Sequence, residues 1–287
     1  MEYFKPYTLN LSGNLLEVDS PIVMGILNVT PDSFYSGSRC GDAEGKIRAR
    51  VRQILAEGGR IIDIGGYSSR PMADDVTPEE EWRRLSLALK ILREEAPEAI
   101  VSVDTFRATV AERCVGEYGV DIVNDISAGE LDADMIATVA RLKVPYVMMH
   151  MRGNPHTMQG LTDYDDVTAE VLRFLGDKVK KAAYAGIADI IVDPGFGLFS
   201  KTLEQNYRLL ASLEVLQELG CPLLAGVSRK SMIYNLLGVS PEESLGGTIA
   251  VNTLALLKGA SILRVHDVKE AVETVAIVEK FREQSPC

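Results

Sequence analysis

Long apolar runs are missing from this sequence. None approaches the roughly 18 residues of a membrane-spanning helix, so a helical membrane protein is not expected. The first residues, MEYFKPYTLNLSGNLLEVDSP, lack the basic-then-apolar order of an export signal, which points to the cytoplasm. Cysteine is scarce. Cys40, Cys114, Cys221 and Cys287 share no metal-like spacing, so reduced thiols are expected rather than a disulfide framework or a zinc site. Positive charge is short as well. With 30 Lys and Arg against 41 Asp and Glu, the net charge is −11. Such a chain is a poor general partner for nucleic acid or an anionic membrane, and any anionic ligand must be held by a local cluster of cations. No low-complexity linker divides the chain, and no glycine-rich dinucleotide fingerprint follows its first apolar run, which continues instead into NVTPDSF.

What is present is ordinary for a globular protein, 46% hydrophobic and 25% charged over 287 residues. That length suits one closed α/β barrel, which needs roughly 250 residues. Short β-branched runs recur at 22–27, 61–64, 100–103, 121–123, 145–149, 189–192, 222–227 and 261–265. They are apolar on both faces, as buried parallel strands are. Amphipathic stretches lie between them. Ile47, Val51, Ile54 and Leu55 fall on one helical face, and Thr77 with Pro78 and the acids after it marks a helix start. Eight strands each followed by a helix predict a TIM (β/α)8 barrel in a single domain, residues 1–287, with a short hairpin in an N-terminal extension, 1–20. An open doubly wound sheet is the weaker alternative.

TIM-barrel sites lie at the C-terminal ends of the strands, and nearly every predicted strand here ends on a polar group. Asn28, Gly65 with Gly66, Asp104, Asn124 with Asp125, His150, Asp193, Ser228–Arg229–Lys230, and Arg264 with His266 follow in order. Asp104, Asn124 and Asp193 offer acceptors and donors for a planar, nitrogen-rich ring, since a carboxylate takes two N–H donors side by side. Lys230 donates to a ring carbonyl or ring nitrogen. Arg264 can stack on an aromatic face and reach a phosphate with its fork. His266 and Arg70 add donors for an anion, and Asn28 offers an oxygen to Mg2+, which keeps much of its water and phosphate shell. The residues thus call for a flat heterocycle carrying a phosphate or pyrophosphate.

The stretches MGILNVTPDSF, IDIGGYSSRP, SVDTFR, NDIS, MHMRGNPHTMQ, IVDPGFG, SRKSM and ILRVHDV resemble, in order, the motifs of dihydropteroate synthases. They run from residue 24 to residue 268, nearly the whole chain. The resemblance implies a TIM barrel, usually a homodimer. The implied reaction joins 6-hydroxymethyl-7,8-dihydropterin pyrophosphate to p-aminobenzoate, gives 7,8-dihydropteroate and pyrophosphate, and is assisted by Mg2+. Sulfonamides compete with p-aminobenzoate in that family. Carried over by motif, Asp104, Asn124, Asp193, Lys230 and Arg264 hold the pterin. Asn28, Arg70, Arg264 and His266 hold the pyrophosphate, with Asn28 at the metal. Ser69, Arg70, Pro71, Phe196, Lys230 and Ser231 form the aminobenzoate pocket. The catalytic group is Arg70, Lys230, Arg264 and His266, acting by electrostatic preorganisation rather than by general-base work. The chain departs from the usual motifs at Ser36, Tyr67, Ser69 and Met72, all in the first two loops.

Plainer readings stand beside these. His150 reads as a core histidine bonded to backbone, and His156 as a loop residue. Asp104 and Asp193 could be helix caps, a role that competes for the same oxygens, but two strand-end acids with Asn124 on one rim favour ligand binding. Asp63, Thr105 and Asp125 read as supports. A pterin-dependent methyltransferase would use a similar barrel without needing a pyrophosphate site, and a non-catalytic pterin-binding protein would need no cations.

Overall fold

The computed structural model describes residues 4–29, 40–67 and 76–284. Strands β1 (Tyr7–Leu11) and β2 (Asn14–Val18) form the expected hairpin, paired Tyr7 to Val18 through Leu11 to Asn14. Its two-residue turn places Ser12 at φ 50° and Gly13 at φ 100°. That left-handed pair matches the twist of the strands it joins. The Asn10 side-chain oxygen accepts the Gly13 N–H at 2.7 Å.

Eight parallel strands follow: β3 (Ile22–Asn28), β4 (Ile61–Gly65), β5 (Ile100–Asp104), β6 (Ile122–Asp125), β7 (Tyr146–Met149), β8 (Ile190–Asp193), β9 (Leu224–Ala225) and β10 (Ile262–Val265). Their order in the sheet is β8-β7-β6-β5-β4-β3-β10-β9. A parallel bridge from Val192 to Leu223 closes the barrel, with the Val192 N–H donating to the Pro222 carbonyl at 3.0 Å. The predicted strand 222–227 is reduced to two residues. Pro222 has no N–H for the ladder, and beyond Ala225 the chain turns toward Arg229, which sits at φ 53°.

Helices α1 (Cys40–Ala56), α2 (Pro78–Glu95), α3 (Ala108–Tyr118), α4 (Met135–Leu142), α5 (Val167–Tyr184), α6 (Leu203–Ala211), α7 (Ser231–Leu237), α8 (Leu245–Leu257) and α9 (Val268–Glu283) return the chain between strands. Helix α2 starts as its sequence requires. The Thr77 hydroxyl accepts the Glu80 N–H, Pro78 needs no donor partner, and three acids occupy the positive end. Thr202 and Gln205 make a reciprocal capping box on α6. Among the described residues, no helix is long and apolar enough to cross a membrane.

Strand alternation divides the core. Val23, Leu27, Ile62, Ile64, Val101 and Val103 face the helices. Met24, Ile61, Ile122, Val147, Ile191, Leu224 and Ile262 face inward and pack on Leu9, Leu11 and Val18 of the hairpin, which plugs the N-terminal mouth. Each of these buried side chains stabilises the fold by about 1.5–3 kcal/mol. Two residues further along a strand lies on the same face and one step nearer the opposite mouth. Ile61 is thus followed inward by Asp63, Ile122 by Asn124, Ile191 by Asp193 and Ile262 by Arg264. The apolar floor makes the inward direction unavoidable for these polar groups.

Candidate active site

At the level above the floor, Arg264 joins two carboxylates from other strands. Its Nε donates to Asp63 Oδ2 at 2.6 Å, and its Nη2 donates to Asp104 Oδ2 at 2.7 Å. Asn124 Nδ2 donates to both Asp63 oxygens, at 3.2 and 3.3 Å. One network therefore spans β4, β5, β6 and β10. Burial pushes Asp104 up to about 7, the Arg264 charge opposes this, and the Asp63 carboxylate adds to it. Burial alone would lower the Arg264 pKa, but Asp63 and Asp104 outweigh it and hold the guanidinium more firmly protonated than usual.

On β8, Asp193 Oδ1 accepts the Gly195 N–H at 2.7 Å. Burial raises its pKa, opposed first by the Lys230 charge. Lys230 Nζ donates to the Phe196 carbonyl at 2.7 Å and lies 4.8 Å from the Phe199 ring centre. Burial lowers Lys230 to about 8, with Asp193 opposing and Arg264 adding. The ammonium is thus set beside acceptors that a ligand can share.

His266 follows β10 and is pinned at two atoms. Its backbone N–H donates to Ser228 Oγ at 3.1 Å, and its Nδ1 lies 3.1 Å from the same hydroxyl. The assignment that satisfies both has the Ser228 O–H donating to Nδ1, which leaves a proton on Nε2. Burial lowers the imidazole to about 4, with Arg264 adding. His266 is accordingly a neutral donor. It lines a cavity of about 380 Å³ with Ile26, Leu27, Asn28, Arg50, Arg229 and Asp267. Arg50 Nη2 donates to the His266 carbonyl at 2.6 Å. Arg229 forks onto Asp267 at 2.7 and 2.9 Å.

The "Pterin binding enzyme" family model matches residues 24–266. The dihydropteroate synthase of Escherichia coli (strain K12) is 42% identical over 273 residues, covering 93% of this chain and 94% of that protein. The Synechocystis dihydropteroate synthase is 42% identical over 260 residues, covering 90% of this chain and 89% of that protein. The Xanthomonas albilineans dihydropteroate synthase with 4-aminobenzoic acid superposes with TM-score 0.88 at 39% identity, covering 98% of this chain and all of that chain (100%). The same enzyme in complex with 7,8-dihydropteroate gives TM-score 0.84 at 38% identity, covering 98% of this chain and 100% of that one. The chain belongs to the dihydropteroate synthase family.

Within that family frame, the barrel brings Asn28, Asp104, Asn124, Asp193, Lys230, Arg264 and His266 to one mouth. Ser231 is buried at the first turn of α7, next to Lys230. Ser69, Arg70 and Pro71, with the departures at Ser36 and Met72, lie outside the described residues. Tyr67, the other departure, packs edge-on against Phe106 at 5.2 Å, with the Arg107 guanidinium 5.3 Å from its ring.

Several expectations are revised. Phe196 is fully buried in the barrel–helix core, so it offers the site its carbonyl and not a ring. Gly195 and Gly197, at φ 70° and 96°, turn the chain on either side of it. The ring beside Lys230 is that of Phe199. Asp104 does not cap α3, whose first N–H donates to Asp132 at 2.8 Å. His150 is buried and in reach of backbone as expected, and its Nδ1 also meets Lys201 Nζ at 3.0 Å. Asp125 turns outward and accepts from Tyr146 Oη at 2.6 Å, Ser127 N at 2.8 Å, Ser127 Oγ at 2.7 Å and Gly129 N at 2.7 Å. Asp63 is more than a support, since it anchors both Arg264 and Asn124. Its signal was available in its position two residues beyond Ile61. Ser228 was among the polar groups expected after the seventh strand, whereas Lys201 carried no comparable signal.

Proposed function

We propose that the chain is a dihydropteroate synthase that condenses 6-hydroxymethyl-7,8-dihydropterin pyrophosphate with p-aminobenzoate, giving 7,8-dihydropteroate and pyrophosphate. The observation that carries the reading is the inward network of Asp63, Asp104, Asn124 and Arg264, facing Asp193 and Lys230 across one barrel mouth. Relatives with this fold hold 4-aminobenzoic acid and 7,8-dihydropteroate.

In this reading Asp104, Asn124 and Asp193 receive the N–H edge of the pterin, Lys230 donates to the ring, and Arg264 lies against its face. These groups are fixed before the ligand arrives, which is what electrostatic preorganisation requires. The bond that breaks joins the pterin methylene carbon to the pyrophosphate oxygen. The bond that forms joins that carbon to the aminobenzoate nitrogen, which then releases a proton to solvent. Arylamine nitrogen is already uncharged at neutral pH, so no side chain is assigned as a general base. His266 Nε2–H, Arg70 and Arg264 stabilise the charge that gathers on the leaving group. Ser69, Arg70, Pro71, Ser231, Lys230 and the Phe196 carbonyl border the aminobenzoate.

Mg2+ fits the donor chemistry. Among the described residues no group of three or more His, Cys, Asp or Glu side chains is arranged to hold a metal. Asn28 supplies one hard oxygen beside the 380 Å³ cavity, and Mg2+ characteristically takes few protein oxygens and completes its shell with water and phosphate. Bound there, it would supply positive charge to the leaving pyrophosphate. We extend the proposal to a homodimer, supported by exposed apolar side chains on neighbouring helices, Leu237 on α7, Leu254 on α8 and Ile277 on α9. A cytoplasmic setting is supported by the free thiols Cys114 and Cys221.

Pyrophosphate release measured with each substrate alone and with both tests the reading. Release that requires both, and stops in excess chelator, is expected. Release without p-aminobenzoate, or none with both, refutes the synthase assignment, and full rate in chelator refutes the metal.

A further inference from the structure

Lys201 stands between β8 and α6 and is only 3% exposed. Its ammonium donates to the Gly195 carbonyl at 2.9 Å and the Phe199 carbonyl at 3.1 Å, and it meets His150 Nδ1 at 3.0 Å. An ammonium has three donors, and here all three end on uncharged acceptors. A buried charge with no carboxylate in contact is costly. A methionine would fill the same slot without that cost, so the charge calls for a reason.

The contacts of its neighbours supply one. Gly195 is gripped at both ends, its N–H by Asp193 and its carbonyl by Lys201. It sits at φ 70°, and a Cβ there would stand 2.1 Å from the His150 carbonyl oxygen. The next carbonyl, of Phe196, takes Lys230. Three consecutive peptide units therefore connect two pterin-site groups, and Lys201 clips them to the end of β7 through His150. For that clip to hold, His150 Nδ1 must accept, which places the ring proton on Nε2. The ring is seated edge-on against Phe174 at 4.9 Å.

We propose that Lys201 is a positioning residue for the pterin site: seated on His150 and two loop carbonyls, its ammonium holds residues 193–199 in the shape that presents Asp193 and Lys230. The proposal rests on the reading that Asp193 and Lys230 hold the pterin. Its charge also acts on Asp193 through space. The titratable groups that face Lys201 are His150, Asp193, Lys230 and Arg152. Burial lowers Lys201 to about 7, Asp193 opposes this, and Lys230 and Arg152 add to it. Burial, with the Lys201 and Arg152 charges adding, keeps His150 neutral. A deprotonated Lys201 keeps two donors and one lone pair, so one of its three contacts fails unless His150 changes tautomer.

The test is calorimetric titration of the full chain with 6-hydroxymethyl-7,8-dihydropterin, alongside the KM for p-aminobenzoate. Lys201→Met, Lys201→Gln and Asp193→Asn are compared with the unchanged protein. Lys201→Met is expected to weaken pterin binding by about tenfold to a hundredfold and to raise the aminobenzoate KM with it, because Lys230 and the Phe196 carbonyl border that pocket too, and Lys201→Gln to recover part of both losses. A folded Lys201→Met with unchanged pterin affinity overturns the proposal. Unchanged affinity in Asp193→Asn instead overturns the pterin-site reading beneath it. Should Lys201→Met not fold, 15N-histidine spectra of the unchanged protein decide, since it has only three histidines. His150 is expected as the neutral Nε2–H tautomer, with an Nδ1 resonance that moves on pterin addition. An Nδ1–H tautomer, or a resonance indifferent to pterin, overturns the proposal.

Discussion

Arg264→Lys keeps the charge and removes the geometry, which makes it the sharpest probe of the barrel network. The guanidinium uses two different nitrogens, Nε for Asp63 and Nη2 for Asp104, at 2.6 and 2.7 Å. The arginine side chain is 18% exposed, Asp63 is 0% and Asp104 20%, so water does little to replace a lost partner. One ammonium nitrogen on a flexible stem cannot occupy both positions. One charge-assisted bond is therefore lost, worth about 1.5–3 kcal/mol. The urea midpoint should fall by that free energy divided by the slope, with the slope unchanged. Turnover with the pterin pyrophosphate, read as kcat/KM, should fall roughly 10- to 150-fold. Arg264→Met should be worse, about 3–5 kcal/mol, because it leaves two carboxylates facing each other with no cation between them. If Arg264→Lys matches the unchanged protein in both midpoint and kcat/KM, the two-pronged bridge is not what organises the site. If it loses stability but keeps kcat/KM, the network is structural and Arg264 is not a pterin ligand.

Tyr146→Phe removes the 2.6 Å bond to Asp125 on the outer face of the barrel. It should cost about 1.5–3 kcal/mol in urea unfolding and leave kcat/KM alone, and a catalytic defect would contradict the outward role of Asp125. Asp104 has a folded-state pKa raised to about 7. Its contribution to stability is therefore complete below the ordinary carboxylate pKa and is lost as pH rises through about 7. Asp104→Asn should flatten the dependence of the urea midpoint on pH across that window, and an unchanged curve would remove Asp104 from the titration. Asn28→Ala should raise the Mg2+ concentration needed for half-maximal pyrophosphate release without altering binding of the pterin alone. An identical Mg2+ titration would separate Asn28 from the metal.

The strands were legible because a barrel strand is buried on both faces and leaves a β-branched run with no helical period. Their polar ends were legible for the same reason, since an Asp or Arg closing such a run has only the barrel mouth to face. Partnership was not. Arg264 and Asp63 are 201 positions apart, and nothing local in IIDI or ILRV says that they meet. Asp63 therefore read as a support, although its place two residues past Ile61 already aimed it inward. Lys201 was invisible for a different reason. A lysine just before the Thr202 cap reads as a solvated loop residue, and only the folded turn through Gly195 buries it. Phe196 misled because a motif match carries over the residue without saying where its ring points. The two left-handed glycines around it instead send the ring into the core and leave its carbonyl for Lys230.

The charge pattern of the mouth explains why an acidic chain can hold a pyrophosphate ester. Around the proposed pterin well, Asp63, Asp104 and Asp193 are interleaved with Arg264, Lys230 and Lys201, so acids and cations balance locally. A neutral ring requires no more than that, because its recognition rests on direction and not on net charge. A pyrophosphate requires an excess of positive charge, and the described residues beside Asn28 offer little that is uncommitted. His266 is neutral and Arg229 is paired with Asp267, while Arg50 is held by the carbonyls of Ile26 and His266, which leave its charge uncancelled. The excess must then come from Arg50, from Arg264 once the ring competes for Asp104, and from the two contributors proposed for this side, Arg70 and Mg2+. Pterin recognition and leaving-group stabilisation thus fall to different sets of charges, linked through Arg264. That is why its substitution should disturb both binding and turnover, while loss of Asn28 should disturb only the pyrophosphate side.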